Sequence, residues 1–134
     1  MIKFDEKNKS FLLCGKSFAY AAFVNKAGYL QHLYYGKKIS ETDLAFLIKE
    51  HGEKFSPNPD DINYDMATDF MPAELGSFGR GDFHSATVIA KRADGAAMSR
   101  FKYLSHKIIS GAVAFDGMPC ARKADQTLVI ALKD

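Results

Sequence analysis

The feature that most constrains this fold is the regular recurrence of turns along the chain. Polar or glycine-containing turns recur about every 8–12 residues, which is typical of an all-β domain. The apolar runs between the first turns lie at Ser10–Cys14, Phe18–Val24 and 29–35, after a short run around Ile2 and Phe4. The Phe18–Val24 run also fits a helical segment, but a turn at 25–28 follows too soon for a helix. We therefore predict four strands in a meander.

The second half of the chain shows a further hairpin pattern and a last strand. Segments 86–92 and 97–104 flank Asp94-Gly95, and an Asp-Gly pair supplies the positive φ angles of a tight hairpin turn. A final strand is predicted at 127–132. Segment 40–50 fits two structures equally well. One is a helix that begins at Ser40, and the other is a strand in which Leu44, Phe46 and Ile48 alternate.

Segment 51–82 differs from the rest, because Pro, Gly and Asp are frequent and no regular pattern persists. Such composition predicts a long irregular loop at about 51–82. The segment also carries many large apolar residues, which a fully solvated loop would not hold. We expect it to pack against this domain's own sheet or against another domain or subunit. These apolar residues are Phe55, Ile62, Tyr64, Met66, Phe70, Met71, Leu75 and Phe78, with Phe83 directly after the segment.

Length and charge exclude several classes of protein. A chain of 134 residues has about the length of one domain. It is too short for a (β/α)₈ barrel, which needs about 250 residues. The net charge of +2 does not indicate a nucleic-acid or membrane-surface partner. The first 20 residues carry charges and lack an apolar signal region, so we expect a soluble, cytoplasmic protein. The two cysteines are too few for a disulfide scaffold of this length.

Motifs for cofactor and metal chemistry are absent from the sequence. The four histidines are not paired at a ligand spacing, and no phosphate-binding loop or nucleophile elbow occurs. We therefore expect no metal and no cofactor. Carboxylates are frequent in the predicted loop, where turn-making and solvation explain them. They are Asp60, Asp61, Asp65, Asp69 and Glu74. Some aromatic side chains are candidates for stacking on a sugar face. They are Tyr34, Tyr35, Phe55, Tyr64, Phe70, Phe78 and Phe83.

Five segments, in order, resemble the N-terminal region of bacterial α-galactosidases of glycoside hydrolase family 36. They are GYLQHLYYGKKI (28–39), FSPNPD (55–60), MPAELGSFGRGDFH (71–84), FKYLSHKI (101–108) and GMPCA (117–121). Several segments in register are more specific than any one of them. The sequence departs from the family at HGEK (51–54), where an Arg- and Asp-rich run is usual, and at His84, where Arg is usual.

The resemblance implies an antiparallel β-sandwich, part of the larger N-terminal sandwich of those enzymes. Their nucleophile and acid/base are Asp residues on a separate (β/α)₈ barrel, so we expect no catalytic residue in these 134 residues. The resemblance further implies that the domain contributes to oligomerisation and that one loop approaches the active site of a neighbouring subunit. The matching loop places Phe55, Asn58 and Asp60 as the candidate substrate-binding residues.

The expected function is therefore that of a non-catalytic N-terminal domain in a retaining α-galactosidase acting on melibiose- or raffinose-type sugars. Its partners would be the remaining enzyme chain, sister subunits and galactosides. The alternative is a free-standing carbohydrate-binding module, or a β-sandwich acting only in structure and oligomerisation. The absence of Trp weighs against the binding module, because such modules need an exposed aromatic platform.

Overall fold

The computed structural model of the protein describes residues 1–39, 44–48, 68, 70–79 and 82–134. Strands β1–β4 form a four-stranded antiparallel sheet in sequence order, and β5 and β6 form a separate antiparallel pair. The predicted meander is confirmed. The strand bounds are Ile2–Asp5 (β1), Ser10–Cys14 (β2), Phe18–Val24 (β3), Leu30–Lys37 (β4), Lys102–Ser110 (β5) and Gln126–Lys133 (β6).

One face of the four-stranded sheet is covered by a turn of 3₁₀ helix at Leu44–Leu47. Leu12 of β2 and Ala19 and Ala21 of β3 form a buried cluster with Leu44. The small alanine side chains leave room for the larger Leu44, which is 4% exposed. For the ambiguous segment 40–50 the structure therefore places a short helical turn at its centre. Residues 40–43 and 49–50 lie outside the described part.

The opposite face packs against the β5–β6 pair through aromatic rings. Phe11 is fully buried, and its ring centroid lies 4.7 Å from that of Phe4 and 4.9 Å from that of His106. The Ile2 amide donates to Gln126 Oε1 at 2.7 Å, and the Tyr103 amide donates to the Gly28 carbonyl at 2.7 Å. The two sheets thus form the antiparallel sandwich expected from the resemblance. Burial of β3 between these layers explains its nearly continuous apolar sequence.

The hairpin predicted around Asp94-Gly95 is wrong in its strands, although the turn itself exists. Gly95 has a φ of +86°, and the Arg92 amide donates to the Ala96 carbonyl at 2.8 Å. Residues 86–92 form no strand, because the amides of Thr87 and Val88 bond to the Gly76 carbonyl instead. Strand β5 begins only at Lys102 and pairs with β6. The strand predicted at 127–132 is confirmed as β6.

Most of the predicted loop at 51–82 lies outside the described residues. Its described positions, 68, 70–79 and 82, form isolated bridges and bends without a strand or helix. The length and packing of the whole loop stay predictions. In the described part of the chain, no helix is both long enough and apolar enough to span a membrane.

Candidate functional site

The substrate-binding residues predicted from the sequence, Phe55, Asn58 and Asp60, lie outside the described residues. The described part of the predicted loop ends in a surface that combines carboxylate–histidine contacts with exposed aromatic rings. We refer to residues 70–79 and 82–84 as the edge segment. It contains the glutamate, glycines and aspartate of the motif at 71–84 described above.

The edge segment begins as an extension of the four-stranded sheet. The His32 amide donates to the Pro72 carbonyl at 2.8 Å, and the Glu74 amide donates to the Leu30 carbonyl at 3.0 Å. Gln31 and Ala73 form an antiparallel bridge between these two bonds. The segment therefore pairs with the outer edge of β4, which fixes the side chains of residues 72–74 relative to the sheet.

A buried asparagine anchors the start of the edge segment. Asn25, which is 5% exposed, accepts the amides of Ala27 and Tyr29 on its Oδ1 atom at 3.0 and 2.9 Å. Its Nδ2 atom lies 3.4 Å from the sulfur of Met71. Met71 in turn packs in a buried cluster with Ala27 and Tyr29. One side chain thus shapes the β3–β4 turn and seats the segment against it.

Glu74 connects the edge segment to the sheet through polar groups. Its Oε1 atom lies 3.2 Å from Nδ1 of His32, and the Tyr20 hydroxyl also hydrogen-bonds to its carboxylate. Burial raises the pKa of Tyr20, and the hydrogen bond to Glu74 and its negative charge raise it further. Tyr20 therefore stays protonated and donates to Glu74 throughout the physiological range.

A second carboxylate–histidine pair lies at the end of the edge segment. Asp82 Oδ1 accepts the His84 amide at 3.0 Å and lies 2.8 Å from His84 Nδ1. The Asp82 side chain is 10% exposed and the His84 side chain 57%. The backbone amide and the ring are thus held by one oxygen, which orients the imidazole and leaves its Nε2 atom facing away from the pair.

The edge segment exposes three phenylalanines between and beside these pairs. Phe70, Phe78 and Phe83 are 55%, 53% and 81% exposed. Tyr35, on β4, is 70% exposed. Tyr34 differs from these candidates, because it packs against the Leu44 cluster and donates its hydroxyl to the Lys37 carbonyl at 2.8 Å. Phe55 and Tyr64 lie outside the described residues.

The arrangement is suited to holding and contacting rather than to covalent chemistry. Glu74 and Asp82 each already accept from a histidine, and these contacts position chain segments. Within the described ranges, no three metal-binding side chains come together. Exposed aromatic rings beside polar pairs are typical of a surface that contacts a sugar or another protein surface.

The profile of the glycosyl hydrolase family 36 N-terminal domain matches residues 28–134. The chain belongs to this family. This chain is 32% identical to α-galactosidase Mel36A of Lactobacillus acidophilus over 139 aligned positions. It is 26% identical to α-galactosidase AgaA of Geobacillus stearothermophilus. The alignments cover 100% and 99% of this chain but 19% of each enzyme, so the chain spans about a fifth of the relatives' length.

Solved structures of α-galactosidases carry the same fold. This chain superposes on the galactosidase domain of AgaSK, an α-galactosidase–sucrose kinase, with a TM-score of 0.86 at 28% identity. For AgaB of Geobacillus stearothermophilus the TM-score is 0.85 at 27% identity. These matches cover 100% of this chain and 19% and 18% of the solved chains. Variants of AgaA have been solved in complex with raffinose and with stachyose.

Sequence reasoning found the motif at 71–84 but missed its contacts. The Asp82–His84 pair has the short spacing of an Asx turn, and that spacing alone was enough to suggest it. The His32–Glu74 contact joins residues 42 positions apart, and no local pattern indicates such a pair. The buried Asn25 lies in a predicted turn, where an exposed polar residue is the usual expectation.

Proposed function

We propose that this chain is the non-catalytic N-terminal β-sandwich domain of an α-galactosidase that hydrolyses terminal α-galactosides of the melibiose and raffinose type. The observation that carries the proposal is the match of the whole chain to family 36 enzymes in both sequence and fold. The complexes of AgaA variants with raffinose and stachyose support this class of substrate.

The bond cleavage itself is assigned to the rest of the enzyme. A retaining glycosidase holds two carboxyl groups about 5–5.5 Å apart on either side of the scissile bond, one as nucleophile and one as acid/base. The two carboxylates of the edge segment are instead committed to His32 and His84. A covalent glycosyl intermediate would therefore form on the remaining four-fifths of the enzyme, with no part played by this domain's carboxylates.

An exchange of domains tests the proposal. The N-terminal domain of the Lactobacillus acidophilus enzyme is replaced by this chain, and hydrolysis of a chromogenic α-galactoside is measured. We expect the chimera to be active and the isolated chain to be inactive. The enzyme with this domain deleted is the control and should lose activity or solubility. Hydrolysis by the repurified isolated chain would contradict a non-catalytic role, and an inactive chimera that folds would contradict the family role.

Shaping of the substrate site is assigned to the predicted loop. We propose that Phe55, Asn58 and Asp60 approach the active site of a neighbouring subunit in the complete, oligomeric enzyme. Replacing Phe55 and Asp60 by Ala in the complete enzyme should raise the KM for raffinose while the fold is retained. Unchanged kinetics with raffinose would reduce the loop to a packing element. Replacing Phe115, an exposed residue between β5 and β6, by Ala is the control.

The alternative is a carbohydrate-binding module, and the exposed Phe70, Phe78 and Phe83 favour it. Aromatic rings can stack on the apolar face of a sugar, and the polar pairs beside them can bind its hydroxyls. Isothermal titration of the isolated chain with galactose, melibiose and raffinose distinguishes the two functions. Binding that is lost in a Phe78→Ala, Phe83→Ala double variant would favour the module. No heat of binding would favour the enzyme domain.

A role in oligomerisation rests on the same exposed apolar side chains together with those of the β5–β6 pair. Leu104 is 61% exposed, and Ile108 and Ile109 are 39% and 36% exposed. Exposed apolar side chains on a strand pair favour contact with another domain or subunit. We expect the isolated chain to self-associate or to bind an apolar dye. A monodisperse monomer without dye binding at high concentration would contradict this expectation.

A further inference from the structure

Ser99 is a buried hydroxyl without a protein partner. It lies three residues before β5 and is 2% exposed. Its Oγ atom makes no hydrogen bond to any of the residues that the structure describes. Buried hydroxyls are almost always satisfied by protein or by ordered water, because leaving one unpaired forfeits its solvation. The site therefore calls for a bonding group beyond the protein's own described atoms.

A small cavity adjoins Ser99 and is large enough for one water molecule. It gives the centre of a water about 20 Å³ of space, whereas a single water needs roughly 10–15 Å³ on this measure. Its wall includes Tyr29 of the β3–β4 turn, Thr68, Ser77 and Asp82 of the edge segment, and Ser99 with the two residues after it. The site is therefore roomy enough, and polar on two sides.

Asp82 lines the same cavity and offers an acceptor. Both of its hydrogen bonds to described residues fall on Oδ1, which holds His84. Its side chain is only 10% exposed, so bulk water has little access to the second carboxylate oxygen, Oδ2. An ordered buried water requires two to four polar partners, and a serine hydroxyl and a carboxylate lining one cavity provide a donor and an acceptor.

We propose that this cavity holds one buried water that accepts a hydrogen bond from Ser99 Oγ and donates one to Asp82 Oδ2. The water links the residues leading into β5 to the end of the edge segment. It thereby supports the carboxylate that orients His84 and the part of the chain that presents Phe78 and Phe83. This role is independent of the proposed α-galactosidase function, because it concerns only contacts inside the domain.

The test uses hydrogen–deuterium exchange of the full-length protein together with a high-resolution crystal structure. In the wild type we expect a water at the Ser99–Asp82 site. In Ser99→Ala we expect it to be lost, and amides of the edge segment to exchange roughly two- to tenfold faster, the range that one ordinary hydrogen bond gives. The matched control is Ser85→Ala at an exposed serine, which should leave exchange unchanged.

Slower exchange or a higher melting temperature in Ser99→Ala would point the other way. A truly unpartnered hydroxyl makes the folded state less stable, so its removal would slow exchange and raise the melting temperature. Either change in Ser99→Ala overturns the proposal, as does a wild-type crystal structure without density between Ser99 and Asp82. The wild-type structure decides the question even if Ser99→Ala fails to fold. If Ser99→Ala lowered the α-galactosidase activity of the complete enzyme without slowing exchange or raising the melting temperature, that result would bear on the proposed function and would not contradict the water site.

Discussion

The Nδ1 atom of His32 and the Oε1 atom of Glu74 lie 3.2 Å apart and join segments separated by 42 residues. His32 belongs to β4, and Glu74 lies in the irregular segment that pairs with the edge of that strand. The carboxylate also accepts the hydroxyl of Tyr20 from β3. Three side chains therefore connect the edge segment to two neighbouring strands, and this connection fixes the segment against the edge of the sheet.

Tyr20 makes the stability of this connection depend on alkaline pH. Its pKa is raised in the folded protein, whereas a tyrosine in the unfolded chain ionises near pH 10. Above about pH 10 the unfolded chain releases a proton that the folded chain keeps, so the free energy of unfolding falls as pH rises. We expect the melting temperature to fall above about pH 10, and Tyr20→Phe to flatten this decline.

The matched control for this prediction is Tyr35→Phe, at a position that is 70% exposed. It should keep the full alkaline decline of the melting temperature. Equal declines in both variants and in the wild type would show that Tyr20 does not contribute. Spectroscopic titration at the tyrosinate absorption band gives an independent reading, in which one tyrosine ionises only as the protein unfolds.

Asn25→Ala should destabilise the domain strongly for a polar substitution. The change leaves the buried amides of Ala27 and Tyr29 without their acceptor and removes the contact to Met71. An unsatisfied buried donor costs about 1–3 kcal/mol, and two donors are affected. Asn25→Asp is the matched comparison, because it keeps an acceptor for both amides, and it should cost less. Denaturant unfolding measures both, and an equal loss would contradict the role given to Oδ1.

The four-stranded meander was predictable because neighbouring residues in the sequence define each of its strands and turns. Ser10–Cys14 and Phe18–Val24 are apolar runs bounded by turns, and the structure begins and ends β2 and β3 at these residues. The strand at 127–132 was equally visible in its alternating Leu128, Ile130 and Leu132. Apart from Phe18, which is 48% exposed, the apolar side chains that define these strands are buried or half-buried.

The predicted hairpin at 86–104 failed because a local turn signal does not fix which strands pair. Asp94-Gly95 does form the turn, but β5 finds its partner in β6 after a loop of residues 111–125. The pairing of β5 with β6 places His106 opposite Ile130 and brings its ring against Phe4 and Phe11 of the other sheet. Cross-strand partners of this kind are set by the whole sandwich.

Phe11→Ala should be the most damaging substitution in the sandwich interior. Phe11 is fully buried and contacts Phe4, Tyr103 and His106 from both layers. Removing a buried phenylalanine ring costs about 3–5 kcal/mol. Phe83→Ala removes the same ring at a position that is 81% exposed and should change stability by less than about 0.5 kcal/mol. Similar melting temperatures for the two variants would contradict the packing of the β5–β6 pair on Phe11.

Gly79 in the edge segment is required for two separable reasons. Its φ of +90° lies in the left-handed region, where a side chain costs roughly 1–2 kcal/mol. A Cβ atom added there would also lie 2.7 Å from Cγ of Met98. Gly95 has a similar φ of +86°, but a Cβ atom there meets nothing within 4 Å. Gly95→Ala therefore measures the backbone cost alone, and Gly79→Ala should lower stability further.

The additional loss in Gly79→Ala should depend on Met98. Met98 is 46% exposed and flexible, so it can move aside in part. We therefore expect the clash with Met98 to cost less free energy than the left-handed backbone does. In the double variant Gly79→Ala, Met98→Ala the clash is gone, and the loss relative to Met98→Ala should match that of Gly95→Ala. Denaturant unfolding of the four variants closes this cycle. Gly79→Ala could instead cost the same stability in the Met98→Ala variant as in the wild type. The left-handed backbone would then account for the whole requirement for glycine at this position.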